Sequence, residues 1–222
     1  MRPALLLSVA GILATPVSSG AQALPARFEL DGGVRWTGPI SVGRVDANET
    51  GADGRQYRLF TTTSDVGAAV GAEGRIGVRL TRSLRAEASA SYTPAHLTTR
   101  IASDVEAASA TIAAERVRQF AFEGGVALTL PRWRLTARGL PFLAAGAGVL
   151  RRVHEGATLA DNGRLYFIGG GVAYPFRQMQ AGGRKAAGVR IDARASIVSG
   201  RLSFDGSAHV TPAVTGSLFV RF

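Results

Sequence analysis

The stretch Val66-Gly67-Ala68-Ala69-Val70-Gly71-Ala72-Glu73-Gly74-Arg75-Ile76-Gly77-Val78-Arg79-Leu80 decides how this chain is read. Its even positions hold Val66, Ala68, Val70, Ala72, Gly74, Ile76, Val78 and Leu80, and none of them is polar. Its odd positions hold small residues together with Glu73, Arg75 and Arg79. A period of two is that of a β-strand, whose successive side chains point to opposite faces. The run is longer than an ordinary globular strand. It exceeds the ~9–11 tilted residues that carry a strand across a bilayer.

The same alternation recurs along the chain. Phe28, Leu30, Val34 and Trp36 oppose Glu29, Asp31 and Arg35. Leu84, Ala86, Ala88, Ala90 and Tyr92 oppose Arg85, Glu87, Ser89 and Ser91. Phe120, Phe122, Val126 and Leu128 oppose Ala121, Glu123 and Thr129. Val189, Ile191, Ala193 and Ile197 oppose Arg190, Asp192, Arg194 and Ser196. Two further stretches, 140–153 and 164–174, are rich in Gly and Ala and apolar on both parities, so their facing stays open. Glycines there let the wall curve or let large side chains approach. The expectation is eight strands near 27–36, 66–80, 84–93, 117–130, 140–153, 164–174, 188–198 and 208–222. Short connections fall at 81–83, 131–139 and 175–187. Segments 37–65 and 94–116 are the longest connections, within which 58–63 and 107–116 offer strand extensions.

Alternating strands fit two architectures. A soluble sandwich or barrel turns its apolar face inward, and a membrane barrel turns it outward to lipid. The apolar face here holds many Ala and Gly residues, poor filling for a core but acceptable against lipid. Aromatics also gather near strand ends, with Trp36, Tyr92, Phe120 and Tyr166 toward one end. Phe28, Trp133, Phe142, Tyr174, Phe176 and Phe222 lie toward the other. Such girdles belong to membrane interfaces. The reading is all-β: an eight-stranded antiparallel transmembrane β-barrel over residues 24–222.

The outward apolar face assigns the opposite face to the lumen. The expected lumen charge network is Glu29, Asp31, Arg35, Glu73, Arg75, Arg79, Arg85, Glu87, Glu123, Arg190, Asp192, Arg194 and Arg221. Side chains fill the interior of an eight-stranded barrel, and charges held there must pair. An ionic plug is favoured over an ion path.

Residues 1–23 read as a signal peptide. Met1-Arg2 is a short positive start, Ala4 to Ala14 an apolar core, and Ala21-Gln22-Ala23 a cleavage site of small residues. That apolar run is too short for a spanning helix, which needs ~20 residues.

Composition closes other routes. The 222 residues include no Cys, which excludes a disulfide scaffold, a Cys zinc site and a thiol nucleophile. The net charge of +10 is carried by Arg, with Lys185 the lone Lys. The connections 81–83, 131–139 and 175–187 hold Arg82, Arg132, Arg134, Arg138, Arg177, Arg184 and Lys185 and no acidic residue, whereas the other connections are acidic on balance. Basic residues concentrated on one rim suit lipid head groups. They explain the charge without nucleic acid, and no nucleic-acid-binding motif is present.

The chain closes on Thr215-Gly216-Ser217-Leu218-Phe219-Val220-Arg221-Phe222. Thr215, Gly216, Leu218, Val220 and Phe222 give a polar residue, a glycine and alternate apolar residues ending on an aromatic. This resembles the insertion signal on the last strand of bacterial outer-membrane barrels. The stretch Leu140-Pro141-Phe142-Leu143-Ala144-Ala145-Gly146-Ala147-Gly148 is similar to the Pro-aromatic pattern of their middle strands. The whole mature chain looks like a small outer-membrane barrel of the opacity-protein, OmpX-like or OmpA-barrel type. The resemblance implies a bacterial outer-membrane location, reached by export. Its implied partners are outer-membrane lipids, lipopolysaccharide among them, and the barrel-assembly machinery, which would take the last strand by edge pairing. It also implies termini and short connections on the periplasmic side, and longer loops meeting a host or cell-surface ligand.

Some members of that class modify lipid A with a His and a hydroxyl near the outer rim. Here His209 and Thr211 share a face, with Asp205 and Ser207 nearby. No nucleophile motif frames them. His96, His154 and His209 lack the i,i+4 spacing of a metal site. No catalytic, metal-binding or cofactor-binding residue is assigned, and no cofactor is expected. The leading reading is a non-enzymatic surface or envelope protein with a closed lumen. A narrow channel comes second and an acyl hydrolase or transferase third.

Overall fold

The computed structural model describes residues 27–102, 110–133, 139–155, 160–178, 186–200 and 208–222. The expected signal peptide, 1–23, lies outside them. Alternating sequence becomes strand throughout: β1 (Phe28–Thr37), β2 (Ile40–Thr50), β3 (Gln56–Val66), β4 (Ala69–Arg79), β5 (Leu84–Ala102), β6 (Ala110–Thr129), β7 (Leu140–His154), β8 (Ala160–Gln178), β9 (Ala186–Gly200) and β10 (His209–Arg221). Every pairing is antiparallel, and the order is β2-β3-β5-β4-β1-β10-β9-β8-β7-β6 with β6 pairing back onto β5. The sheet therefore closes. β1 runs on into β2 as one wall strand, and β3 runs on into β4, so the barrel has eight wall strands.

Its two ends differ. At one end Phe28 and Phe222 exchange backbone hydrogen bonds, and the β4–β5 and β6–β7 turns lie beside them. This terminal end carries the short connections. At the other end β2 and β3 form a hairpin whose turn is closed by Gly54, left-handed at φ 75°.

Three expectations about strand limits are corrected. The segment 37–65 forms β2 and β3 in place of an open connection, 66–80 is not one strand, and most of the connection expected at 94–116 belongs to β5 and β6, which pair well beyond Thr93. Breaks fall at Gly38–Pro39 and Gly67–Ala68, at the same height on adjacent wall strands. Pro39 has no N–H for a ladder. Gly38 donates its N–H to Pro212 O at 2.8 Å, and Gly67 donates to His96 O at 2.9 Å. Each break reverses the facing. Odd residues point inward along β1 and β4, yet Ile40, Val42 and Val66 are buried inside. Val66, read as outward from its parity, therefore belongs to the lumen.

Sides are distributed as in a membrane barrel. Leu30, Val34, Ile76, Phe122, Leu143, Ile168, Ile191 and Leu218 are exposed on the outer surface. Glu29, Asp31, Arg35, Glu73, Arg75, Arg85, Glu123, Arg190, Asp192 and Arg194 are buried within. Water-soluble folds show the reverse.

The facing of β7 and β8 is set by large side chains meeting small ones. Phe142, Ala144, Leu150 and Arg152 face inward on β7, as do Leu165 and Ala173 on β8. A side chain at Gly146 would place its Cβ 2.7 Å from the Phe167 ring and 2.2 Å from Gly124 O. Only glycine gives that ring its seat. Phe142, read as part of an interfacial girdle, is instead a lumen residue at 3% exposure. Outside, Phe28 stacks on Phe222 at 6.3 Å between ring centroids, and Tyr92 meets Phe120 at 5.2 Å.

Candidate functional site

The interior of the barrel holds the dense chemistry of this chain. β1, β4, β6 and β9 each send inward a charged residue from mid-strand, and closure makes them meet. Arg35 from β1 donates to Glu123 of β6 at 2.7 Å and to Glu73 of β4 at 3.2 Å. Arg194 from β9 donates to Glu123 at 2.5 Å, to Asp192 at 2.9 Å and to Glu73 at 3.4 Å. Arg75 pairs with Glu73 and reaches Asp192 at 3.2 Å. Three Arg and three carboxylates thus neutralise one another across the middle of the lumen. Thr215 adds a hydroxyl, which donates to Glu73 at 3.1 Å.

A second cluster lies toward the terminal end. Arg190, fully buried, donates twice to Glu87, at 2.7 and 3.1 Å. Arg85 reaches Glu29 at 2.6 Å and Glu87 at 2.5 Å. Arg221 also pairs with Glu29. Asp31 sits between Arg190 at 3.8 Å and Arg75 at 4.0 Å, without a hydrogen bond to either of its oxygens. Arg79 lies at the lower edge, among the residues lining a cavity beside the β4–β5 turn.

Aromatic rings seat the cations. The Arg190 guanidinium lies 4.1 Å from the Phe142 ring centroid, Arg194 lies 4.9 Å from Phe167, and Arg221 lies 4.5 Å from Phe219. Guanidinium groups stack on ring faces and keep their edges free for carboxylates. Above the charged layer the lumen becomes apolar: Ala121, Leu150, Leu165 and Val198 pack together against Phe167. A cavity of about 20 Å³ remains between Arg35 and this layer, room for about one water.

The thirteen residues read as a lumen network all lie inside the barrel, and twelve of them join ion pairs. Arg79 makes none among the described residues. Of the C-terminal motif, Gly216, Leu218, Val220 and Phe222 face outward and Thr215 faces in.

Sequence reasoning missed Arg152, buried on β7 opposite Asp161 of β8. It also missed Phe142 and Phe167 as cation seats. Their strands lacked alternation, so no facing could be read. A cluster at the far end was missed as well: His154 bridges Glu115 at 3.1 Å and Asp161 at 3.1 Å.

The weighed acyl-transfer set is described only in part. Thr211 donates its hydroxyl to Gly38 O at 3.2 Å. Asp205 and Ser207 lie outside the described residues, as do Arg134, Arg138, Arg184 and Lys185 of the basic rim. Among the described residues no group of three or more His, Asp and Glu is arranged to hold a metal ion.

No protein-family model and no curated protein matches this chain. Solved structures do. Neisserial surface protein A superposes with a TM-score of 0.53 at 11% identity, covering 88% of this chain and 97% of that one. The outer-membrane protein OprG of Pseudomonas aeruginosa gives 0.48 at 10% identity, covering 89% and 95%. Ail, the attachment invasion locus protein of Yersinia pestis, gives 0.47 at 9% identity, covering 90% and 100%. The fold of this chain is that of an eight-stranded bacterial outer-membrane β-barrel.

Proposed function

We propose that this chain is a non-enzymatic outer-membrane barrel with a shut lumen, acting through the hairpins at the end opposite its termini. One observation carries the reading. Residues from β1, β4, β6 and β9 join in a charge-balanced cluster across the middle of the barrel. An ion entering would have to break several buried charge-assisted hydrogen bonds at once, and these are the strong kind.

The hairpins supply the contact surface. β1 has ten residues, enough to cross the apolar membrane core. β2 and β3 then continue beyond it, with Val45, Tyr57 and Leu59 exposed. Exposed apolar groups on a water-facing hairpin fit a role in meeting another surface. The even number of wall strands sets both termini on one side with the short turns; reading that side as the periplasm, where such barrels carry their short turns, turns the β2–β3 hairpin outside the cell. Outer-membrane lipids, lipopolysaccharide included, would cover the apolar band, and the assembly machinery would take the outward residues of β10.

Planar-bilayer recording tests the closed lumen. The purified protein should show no steady single-channel conductance, whereas replacing Arg35 and Glu123 together with Ala should open one. Steady conductance in the unaltered protein would replace the plug by a pore.

A further inference from the structure

The charge balance of the lumen is uneven along its axis. The middle cluster sets Arg35, Arg75 and Arg194 against Glu73, Glu123 and Asp192 and is neutral. The cluster toward the terminal end sets Arg79, Arg85, Arg190 and Arg221 against Glu29, Asp31 and Glu87. One positive charge is left over there, and Arg82 on the adjoining turn adds another. Both excess charges face one space. A cavity of about 170 Å³ is lined by Arg79, Arg82, Arg85 and Arg221, with Ser83 and Thr129 adding hydroxyls.

Arg85 and Arg221 share Glu29, which Arg190 also approaches at 3.7 Å, so one carboxylate serves three guanidinium groups. Arg79 makes no ion pair among the described residues. It is half-buried beside this cavity, and the one carboxylate whose charge favours it, Glu29, is already held by Arg85, Arg190 and Arg221, so its own charge is poorly balanced there. An anion in this cavity would supply the balance. Guanidinium forks match tetrahedral oxyanions through paired N–H bonds, and two excess positive charges suit a doubly charged group. The space holds such an anion with several waters.

We infer that the cavity beside the β4–β5 turn binds a phosphate group, clasped by Arg79, Arg82 and Arg221. The group could arrive as free phosphate or as the head group of an anionic phospholipid in the facing leaflet. The chemistry is the same in both.

The test uses the full mature chain refolded in octyl glucoside, a detergent without phosphate. Inorganic phosphate is titrated at constant ionic strength and arginine side-chain N–H resonances are followed by NMR. A parallel titration uses short-chain phosphatidylglycerol. Arg79→Gln is compared with Arg58→Gln, a change on the distant β2–β3 hairpin. Both must keep the mobility shift on heating that marks a folded barrel. Arg82→Gln, on an exposed turn, serves if Arg79→Gln does not fold. Saturable binding that weakens at least tenfold in Arg79→Gln, or several-fold in Arg82→Gln, and is unchanged in Arg58→Gln supports the site. Saturation by phosphate assigns the free anion, and saturation by the lipid alone assigns the head group. Saturation by neither overturns the inference, as does equal binding by all variants.

Discussion

The guanidinium of Arg190 lies 4.1 Å from the centroid of the Phe142 ring while the same group donates to Glu87 at 2.7 Å. Ring and carboxylate come from different wall strands, β7 and β5, which flank β6 on either side. A desolvated cation over a ring gains up to about 2 kcal/mol. Phe142→Leu should therefore lower unfolding stability in lipid vesicles by about 1–2 kcal/mol, with the loss of packing included. A change below about 0.5 kcal/mol would show that the ring does not seat the cation.

Asp192 is the shared counter-charge of the network, within 3.2 Å of Arg75, 3.3 Å of Arg190 and 2.9 Å of Arg194. Removing one partner of a buried pair strands the rest and costs about 3–5 kcal/mol. Asp192→Ala should reach that range in reversible urea unfolding. A loss under about 1 kcal/mol would mean that water already reaches these Arg residues.

The β2–β3 hairpin carries a pH signature of its own. The Thr61 hydroxyl, donating to Asp46 at 2.6 Å, holds that carboxyl below its ordinary value, with Arg44 and Arg58 assisting. The Arg55 backbone N–H and the Tyr57 hydroxyl do the same for Asp53. A lowered folded value gives stability that is fully present above the unfolded value of ~3.9 and is lost as pH falls through the folded one. NMR signals of the hairpin turn should hold from about pH 7 to pH 5 and collapse toward random-coil positions below about pH 4. Collapse already above pH 5 would assign the turn's order to some other group.

Much of the wall was legible because its strands alternate with period two. Glu73, Arg75, Asp192 and Arg194 could be placed in the lumen from parity alone. The breaks at Gly38–Pro39 and Gly67–Ala68 were not legible. Gly67 and Ala68 are small enough to continue either face, so the sequence pattern ran through a point where the chain reverses its facing. β7 and β8 defeated parity for a different reason. Gly146, Gly148, Gly169 and Gly171 face a crowded lumen, where Phe167, Phe142 and the Arg residues take up the space. Small residues inside and small residues against lipid look alike in one dimension. The sites of Arg152 and Phe142 followed only once the closed sheet fixed which parity pointed in.

The last strand makes a separate prediction. Phe222, the residue just after β10, faces outward and stacks on Phe28, which seals the seam between the first and last strands. Phe222→Ala should lower the amount assembled in cellular outer membranes several-fold and leave refolding in detergent intact. Equal assembly in cells would show that the terminal aromatic is not read during insertion.

The apolar face of this barrel lies outward, toward lipid, and its charged face is enclosed. The chain contains no Cys, so a single engineered one reports without background. Ile168 is 69% exposed on the outer surface of β8, and Tyr57 is exposed on the β2–β3 hairpin. Ile168→Cys and Tyr57→Cys would each carry a fluorescent label in lipid vesicles. Quenchers fixed to lipid chains should darken the label at 168 and not the one at 57, and iodide in the water should do the reverse. A label at 168 shielded from both quenchers would place that face inside a soluble core and contradict the account.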